Sequence, residues 1–139
     1  MNYARKKIVF DTSSLIPICL YPERAPAQIF KRAIFNHDLF ASSETITELM
    51  AVLARPKFDA WRSANQRMAW GIFYQSVVIV IDSTVKIDDC RDVKDNKFLE
   101  LAVSAQADIL ISSDIHLLEL HPYRNMDIIK LKDFGERFF

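Results

Sequence analysis

Apolar and polar positions fall into alternating blocks along this chain, and the blocks predict strands and helices in turn. Ile8-Val9-Phe10 is a short apolar run behind a basic lead-in, and it stops at Asp11. That is the pattern of a buried strand with an acid at its carboxyl end. Ile29, Phe30, Ala33 and Ile34 recur at helical spacing behind Pro26, a residue suited to a first helical turn, so a helix is expected over residues 25–35. Residues 37–41 give a second short strand. Ser42 or Ser43 can then cap a helix in which Ile46, Leu49, Met50 and Leu53 form one stripe, ended by Pro56.

The 57–75 stretch reads as another helix, with Trp61, Met68, Ile72 and Phe73 available for burial and Gly71 interrupting its end. Val77 to Ile81 is a β-branched run with no polar break, as expected of a strand covered on both faces in a parallel sheet. After Asp82 a polar loop leads to a helix from Asp95 to about Ala105, turning Phe98, Leu99, Ala102 and Ala105 inward. Ile109 to Ile111 is again a short strand, closed by Ser112-Ser113-Asp114. A short helix over 115–120, a strand over 127–131 and a helical tail complete the pattern. Strands alternating with helices predict an α/β sandwich with a mostly parallel sheet. No repeat, low-complexity tract or linker divides residues 1–139, so one domain is expected.

Composition narrows the chemistry by exclusion. Gly71 and Gly135 are the only glycines, so a P-loop, a dinucleotide fingerprint and a G-x-S-x-G elbow are ruled out. Cys19 and Cys90 form no C-x-x-C, and His37, His116 and His121 make no H-E-x-x-H; two lone cysteines fit a reducing cytosol. The N-terminal segment lacks the apolar run of a signal peptide, no stretch is long enough for a membrane span, and a cytoplasmic protein is expected. With 18 basic and 18 acidic residues there is no global field, so any nucleic-acid binding must come from a local patch.

Carboxylates and hydroxyls remain. In open parallel sheets the functional crevice lies outside the carboxyl ends of the strands, and three predicted strands end in Asp11, Asp82 and Asp114. Carboxylates gathered there repel one another unless a cation sits between them, and oxygen ligands without Cys or His select Mg2+ or Mn2+. Such an ion suits phosphodiester hydrolysis. Each acid also has a plainer role: Asp95 and Asp114 precede helical runs and can act as N-caps, Glu48 can lie on a solvated helix face, and Asp82, Asp88, Asp89 and Asp92 sit in or beside a polar loop.

The ordered set VFDTSSLI, ETITELMAVLARPKF and DCRDVKDNKFLELAVSAQADILISSD resembles the PIN-domain ribonucleases, most closely the VapC-like toxin components of toxin–antitoxin pairs. The resemblance runs from Ile8 to the LKDFGERF tail. It implies a three-layer α/β/α sandwich with about five short strands, and a Mg2+- or Mn2+-dependent endoribonuclease. The family's acids fall on Asp11, Glu48, Asp95 and Asp114. Asp11, Asp95 and Asp114 are the implied metal ligands, while Glu48 ligates, binds through water or orients the nucleophile. Ser13, Ser112, Asp92 and Asn96 suit hydrogen bonds around that set. Val93 stands where many relatives carry proline and Ser113 where many carry glycine. A small antitoxin covering the crevice and a homodimer through helices, here the 61–75 segment, are also implied.

Candidate RNA-phosphate contacts are Arg55, Lys57, Arg91, Lys94 and Lys97. Two other functions compete with this one. A haloacid-dehalogenase-type phosphatase needs a second acid two residues after the first, where Ser13 stands. A catalytically silent PIN-fold binding module would keep the acids without the cleavage.

Overall fold

Side chains alternate across a strand, and in β1 (Lys7–Phe10) this splits the core in two. Ile8 and Phe10 join one apolar cluster and Val9 the other. The same division runs through β2 (Asp38–Ala41), β4 (Ile109–Ile111) and β5 (Asp127–Ile129): Leu39, Ala41, Ile109, Ile111 and Ile129 pack with the first cluster, Leu110 and Ile128 with the second. With β3 (Ile79–Val80) these strands form one sheet of order β3-β2-β1-β4-β5, and every pairing is parallel. The computed structural model describes residues 4–139.

Helices cover both faces. The first cluster is filled from α1 (Thr12–Leu20), α2 (Ala25–Asn36), α3 (Ser43–Leu53), α4 (Ala64–Val77) and the final helix, through Leu15, Phe30, Leu49, Tyr74 and Phe134. The second is filled from α5 (Asn96–Ser104) and α6 (Ile115–Leu118), through Phe98, Leu99, Leu101 and Leu117. The last element, α7, spans Leu131–Phe138. This is the three-layer α/β/α sandwich that the sequence predicts. None of the described helices is long and apolar enough to cross a membrane.

Ser42 caps α3 by accepting from the Thr45 N–H at 3.1 Å, and Ser63 caps α4 in the same way through Gln66. Between these two helices the predicted long helix is broken. Pro56–Ala60 forms a short 3-10 turn and α4 begins only at Ala64, after which it runs through Gly71 rather than stopping there. Gly71 lets α4 pack close to α3: a Cβ there would press on the Met50 side chain and make it shift. Arg67, fully buried, ties the connection together by donating to the carbonyls of Leu53, Arg55 and Arg62 and to Asp59.

Two expectations are corrected. The first helix is α1, directly after β1, not the 25–35 segment; its apolar residues point in several directions and Pro17 interrupts the pattern. Strand β3 is not covered on both faces. It is an edge strand, two residues long, with Ile79 46% and Val80 50% exposed.

Candidate metal centre

The strand order reverses direction at β1, because β2 lies on one side of it and β4 on the other. Chains leaving these neighbours diverge and open a crevice at their carboxyl ends. Asp11 leaves β1 there, and Ser112-Ser113-Asp114 leaves β4 beside it, joined by the Asp11 N–H donating to Ile111 O at 3.0 Å.

Asp11 is 2% exposed and encircled by donors. Ser112 Oγ donates to Oδ2 at 2.5 Å, Ser13 Oγ reaches both oxygens at 2.9 Å, and the Ser14 N–H donates to Oδ1 at 2.9 Å, which also caps α1. Burial pushes its carboxyl above the usual range, opposed by the hydrogen bonds from Ser112, Ser14 and Ser13. Ser112 also accepts from the Asp114 N–H at 2.9 Å, so one hydroxyl orients two acids.

Asp92, Asp95 and Asp114 converge, each offering an oxygen within 4.8 Å of the others. The 3-10 turn Val93–Asp95 causes this by returning the chain between Asp92 and α5. Asn96, buried at the start of α5, accepts from the Cys90 N–H at 2.9 Å and pins the preceding loop. Asp114 caps α6 through the His116 N–H at 2.8 Å, whereas the Asp95 side chain makes no capping bond. Instead Asp95 Oδ2 is buried without a hydrogen-bond partner. Burial, then Asp114, Asp92 and Asp11, push the Asp95 carboxyl up to about 8. Asp114 is lowered: its own burial works against this, but the facing Asp95 and the His116 N–H outweigh it.

A buried acceptor without a donor, on a carboxyl that its acidic neighbours push up, is a place a cation would suit. Asp92, Asp95 and Asp114 therefore fit a divalent ion, and their all-oxygen donor set fits Mg2+ or Mn2+.

Glu48, on α3, is held differently. Thr12 Oγ1 donates to its Oε2 at 2.5 Å and Lys97 Nζ to its Oε1 at 2.8 Å. Lys97 is thus 17% exposed and spent on an acid, while Arg55, Lys57 and Lys94 are exposed and Arg91 pairs with Glu119. Asp82 is exposed and outside the carboxylate group. Thr12 adjoins Asp11 in D-T-S-S, but nothing in that pattern marks it as a partner of Glu48. Asp92, three residues before Asp95 in the sequence, lies with Asp95 and Asp114 in the carboxylate group. His116, two residues after Asp114, has its Nδ1 buried without a hydrogen-bond partner.

The family profile described as PIN domain matches residues 7–116. An uncharacterised protein of Methanocaldococcus jannaschii is 27% identical over 140 residues, covering 95% of this chain and 88% of that protein. A chain of VapBC2 from Rickettsia felis, crystallised with a DNA fragment from the promoter, superposes with a TM-score of 0.60 at 13% identity over 88% of this chain and 96% of its own. PAE2754 from Pyrobaculum aerophilum gives 0.56 at 16% identity, over 95% of this chain and 88% of its own. The PIN domain of human SMG5 gives 0.52 at 14%, over 96% and 99%.

Proposed function

The chain belongs to the PIN domain family, and on that footing we propose that it is a Mg2+- or Mn2+-dependent endoribonuclease, the toxin of a toxin–antitoxin pair acting in the cytoplasm. The observation that carries the reading is the convergence of Asp92, Asp95 and Asp114 around the unpartnered Asp95 Oδ2. Asp92, Asp95 and Asp114 would hold the ion, and Asp11, its oxygens held by Ser112, Ser13 and Ser14, would add negative charge beside it. When bound, it supplies an activated water and neutralises charge developing on the phosphoryl group.

The chain's own residues do the positioning. Ser112 fixes Asp11 and Asp114 together, and Ser13 and Ser14 hold the Asp11 carboxylate from the other side. Glu48, fixed by Thr12 and Lys97, would orient the attacking water. Lys94, Arg55 and Lys57 present exposed charge for RNA phosphates. Val93, 75% exposed, and Ile115, 65% exposed, are on the segments that carry Asp92, Asp95 and Asp114, and give an antitoxin segment apolar contacts there. On the outer side of α4, exposed Ile72 and Phe73 support self-association of two copies.

The test is cleavage of a mixed RNA pool by purified protein with Mn2+ or Mg2+, beside EDTA and an Asp11→Asn/Asp95→Asn double variant. Cleavage lost in both controls is expected. Absence of both cleavage and Mn2+ binding would sink the enzymatic reading and leave the silent binding module.

A further inference from the structure

Among the described residues Asp11, Asp92, Asp95 and Asp114 form no ion pair, whereas Glu48 has one. Its partner Lys97 stands in the first turn of α5, two residues after Asp95, and its other support, Thr12, follows Asp11 directly. Glu48 is therefore tethered to the segments that carry the cluster, but both of its oxygens are occupied. We propose that the Lys97 ammonium serves as a built-in cation for Glu48, so that the centre holds one divalent ion on the aspartates and no second ion at the glutamate. This rests on the reading of the aspartate cluster as a metal centre.

The argument is one of charge and space. A hard ion ligates a carboxylate oxygen at roughly 2.0–2.1 Å and gains most where the negative charge is uncompensated. At Glu48 it would have to displace an ammonium at 2.8 Å from Oε1 or a hydroxyl at 2.5 Å from Oε2. The two sites compete unequally: three aspartate carboxylates without a cation lie within 4.8 Å of one another, and the glutamate is already neutralised. Lys97 also crosslinks α3 to α5 through this pair, which explains why it is largely enclosed although it carries a charge. A lysine read from the sequence as an RNA contact is in this arrangement a positioning residue, acting on RNA only through Glu48.

Counting bound Mn2+ by electron paramagnetic resonance, with equilibrium dialysis as a second count, tests the proposal without reference to cleavage. The wild-type chain is expected to bind one ion and Lys97→Arg also one. Lys97→Met should bind two, and Lys97→Met/Glu48→Gln one again. Two ions on the wild-type chain would overturn the proposal while leaving the aspartate centre intact. So would one ion on Lys97→Met with an unchanged circular dichroism spectrum. Should Lys97→Met fail to fold, Glu48→Gln alone decides: unchanged affinity for the single ion is expected, and a loss of about tenfold or more would make Glu48 a ligand and overturn the proposal. No Mn2+ bound by the wild-type chain would remove the metal centre itself, and the proposal with it.

Discussion

Ser112 Oγ lies 2.5 Å from Asp11 Oδ2, a hydrogen bond between residues 101 positions apart that closes the seam between β1 and β4. The same oxygen accepts from the Asp114 N–H, so this one side chain sets the positions of two acids.

Ser112→Ala should leave a buried Asp11 oxygen short of a donor. The expected loss is about 1–3 kcal/mol of stability, the usual cost of an unsatisfied buried acceptor, together with weaker Mn2+ binding. Ser112→Thr keeps the hydroxyl and should restore both. Urea unfolding and metal titration of the two variants check this, and equal losses in both would tie the effect to packing instead.

The pH dependence of stability follows from Asp95. Its carboxyl ordinarily titrates at 3.8 and is pushed up to about 8 in the folded chain, first by burial and then by Asp114, Asp92 and Asp11. Between those values the folded state keeps a proton that the unfolded state has released, so this group's contribution to stability falls as pH rises toward 8. Chelated protein should melt lower at pH 8 than at pH 5, and Asp95→Asn should flatten the slope and raise the pH 8 melting point.

Removing metal should matter most at the alkaline end of that window. Bound Mn2+ replaces the proton, and at a concentration one hundred times its Kd a ligand adds about 2.7 kcal/mol. The gap in melting temperature between Mn2+-loaded and EDTA-treated protein should therefore widen from pH 6 to pH 8. A gap that narrows would count against a metal held by Asp95.

Arg67 makes a stability prediction far from the chemistry. Arg67→Met removes the charged donor from three main-chain carbonyls, those of Leu53, Arg55 and Arg62. The loss should be about 3 kcal/mol, since hydrogen bonds from charged groups contribute more than neutral ones. Its exposed partner Asp59 adds little, and Asp59→Ala should stay within about 1 kcal/mol of wild type. Denaturant midpoints of the two variants separate the contributions.

If α4 mediates self-association, replacing its exposed apolar pair should abolish it. Ile72→Asp/Phe73→Asp is expected to sediment as a monomer at concentrations where the wild-type chain is a dimer, with its melting point little changed because both side chains face outward. A wild-type monomer under the same conditions would retire this interface.

Much of this architecture is legible before any coordinates because of local repetition. The short apolar runs of β1 and β4 and the Leu49–Leu53 stripe of α3 each announce their own burial. Helix α1 is hidden for the opposite reason: Thr12, Ser14, Leu15, Ile18, Cys19 and Leu20 are all buried, leaving little amphipathic contrast, and Pro17 argues against a helix. Strand β3 misleads because a β-branched run looks the same at an edge as in the middle of a sheet. Among the candidate residues, the strand ends single out Asp11 and Asp114 and the resemblance adds Asp95, but neither says what neutralises an acid. The Glu48–Lys97 pair joins residues 49 positions apart on two helices, and only the packing of α3 beside α5 reveals it.

The hydrogen bond from Ser112 to Asp11 has a consequence in time as well as in space. During synthesis from the N-terminus, β1, α1 and α3 emerge long before β4, and parallel pairing over such a separation closes late. A nascent chain that has not reached residue 114 carries Asp11 and Glu48 but lacks the hydroxyl that fixes the first and one member of the carboxylate triad. The crevice is completed only once β4 and the segment that follows it have been made, so the carboxylates of the first half wait on the second.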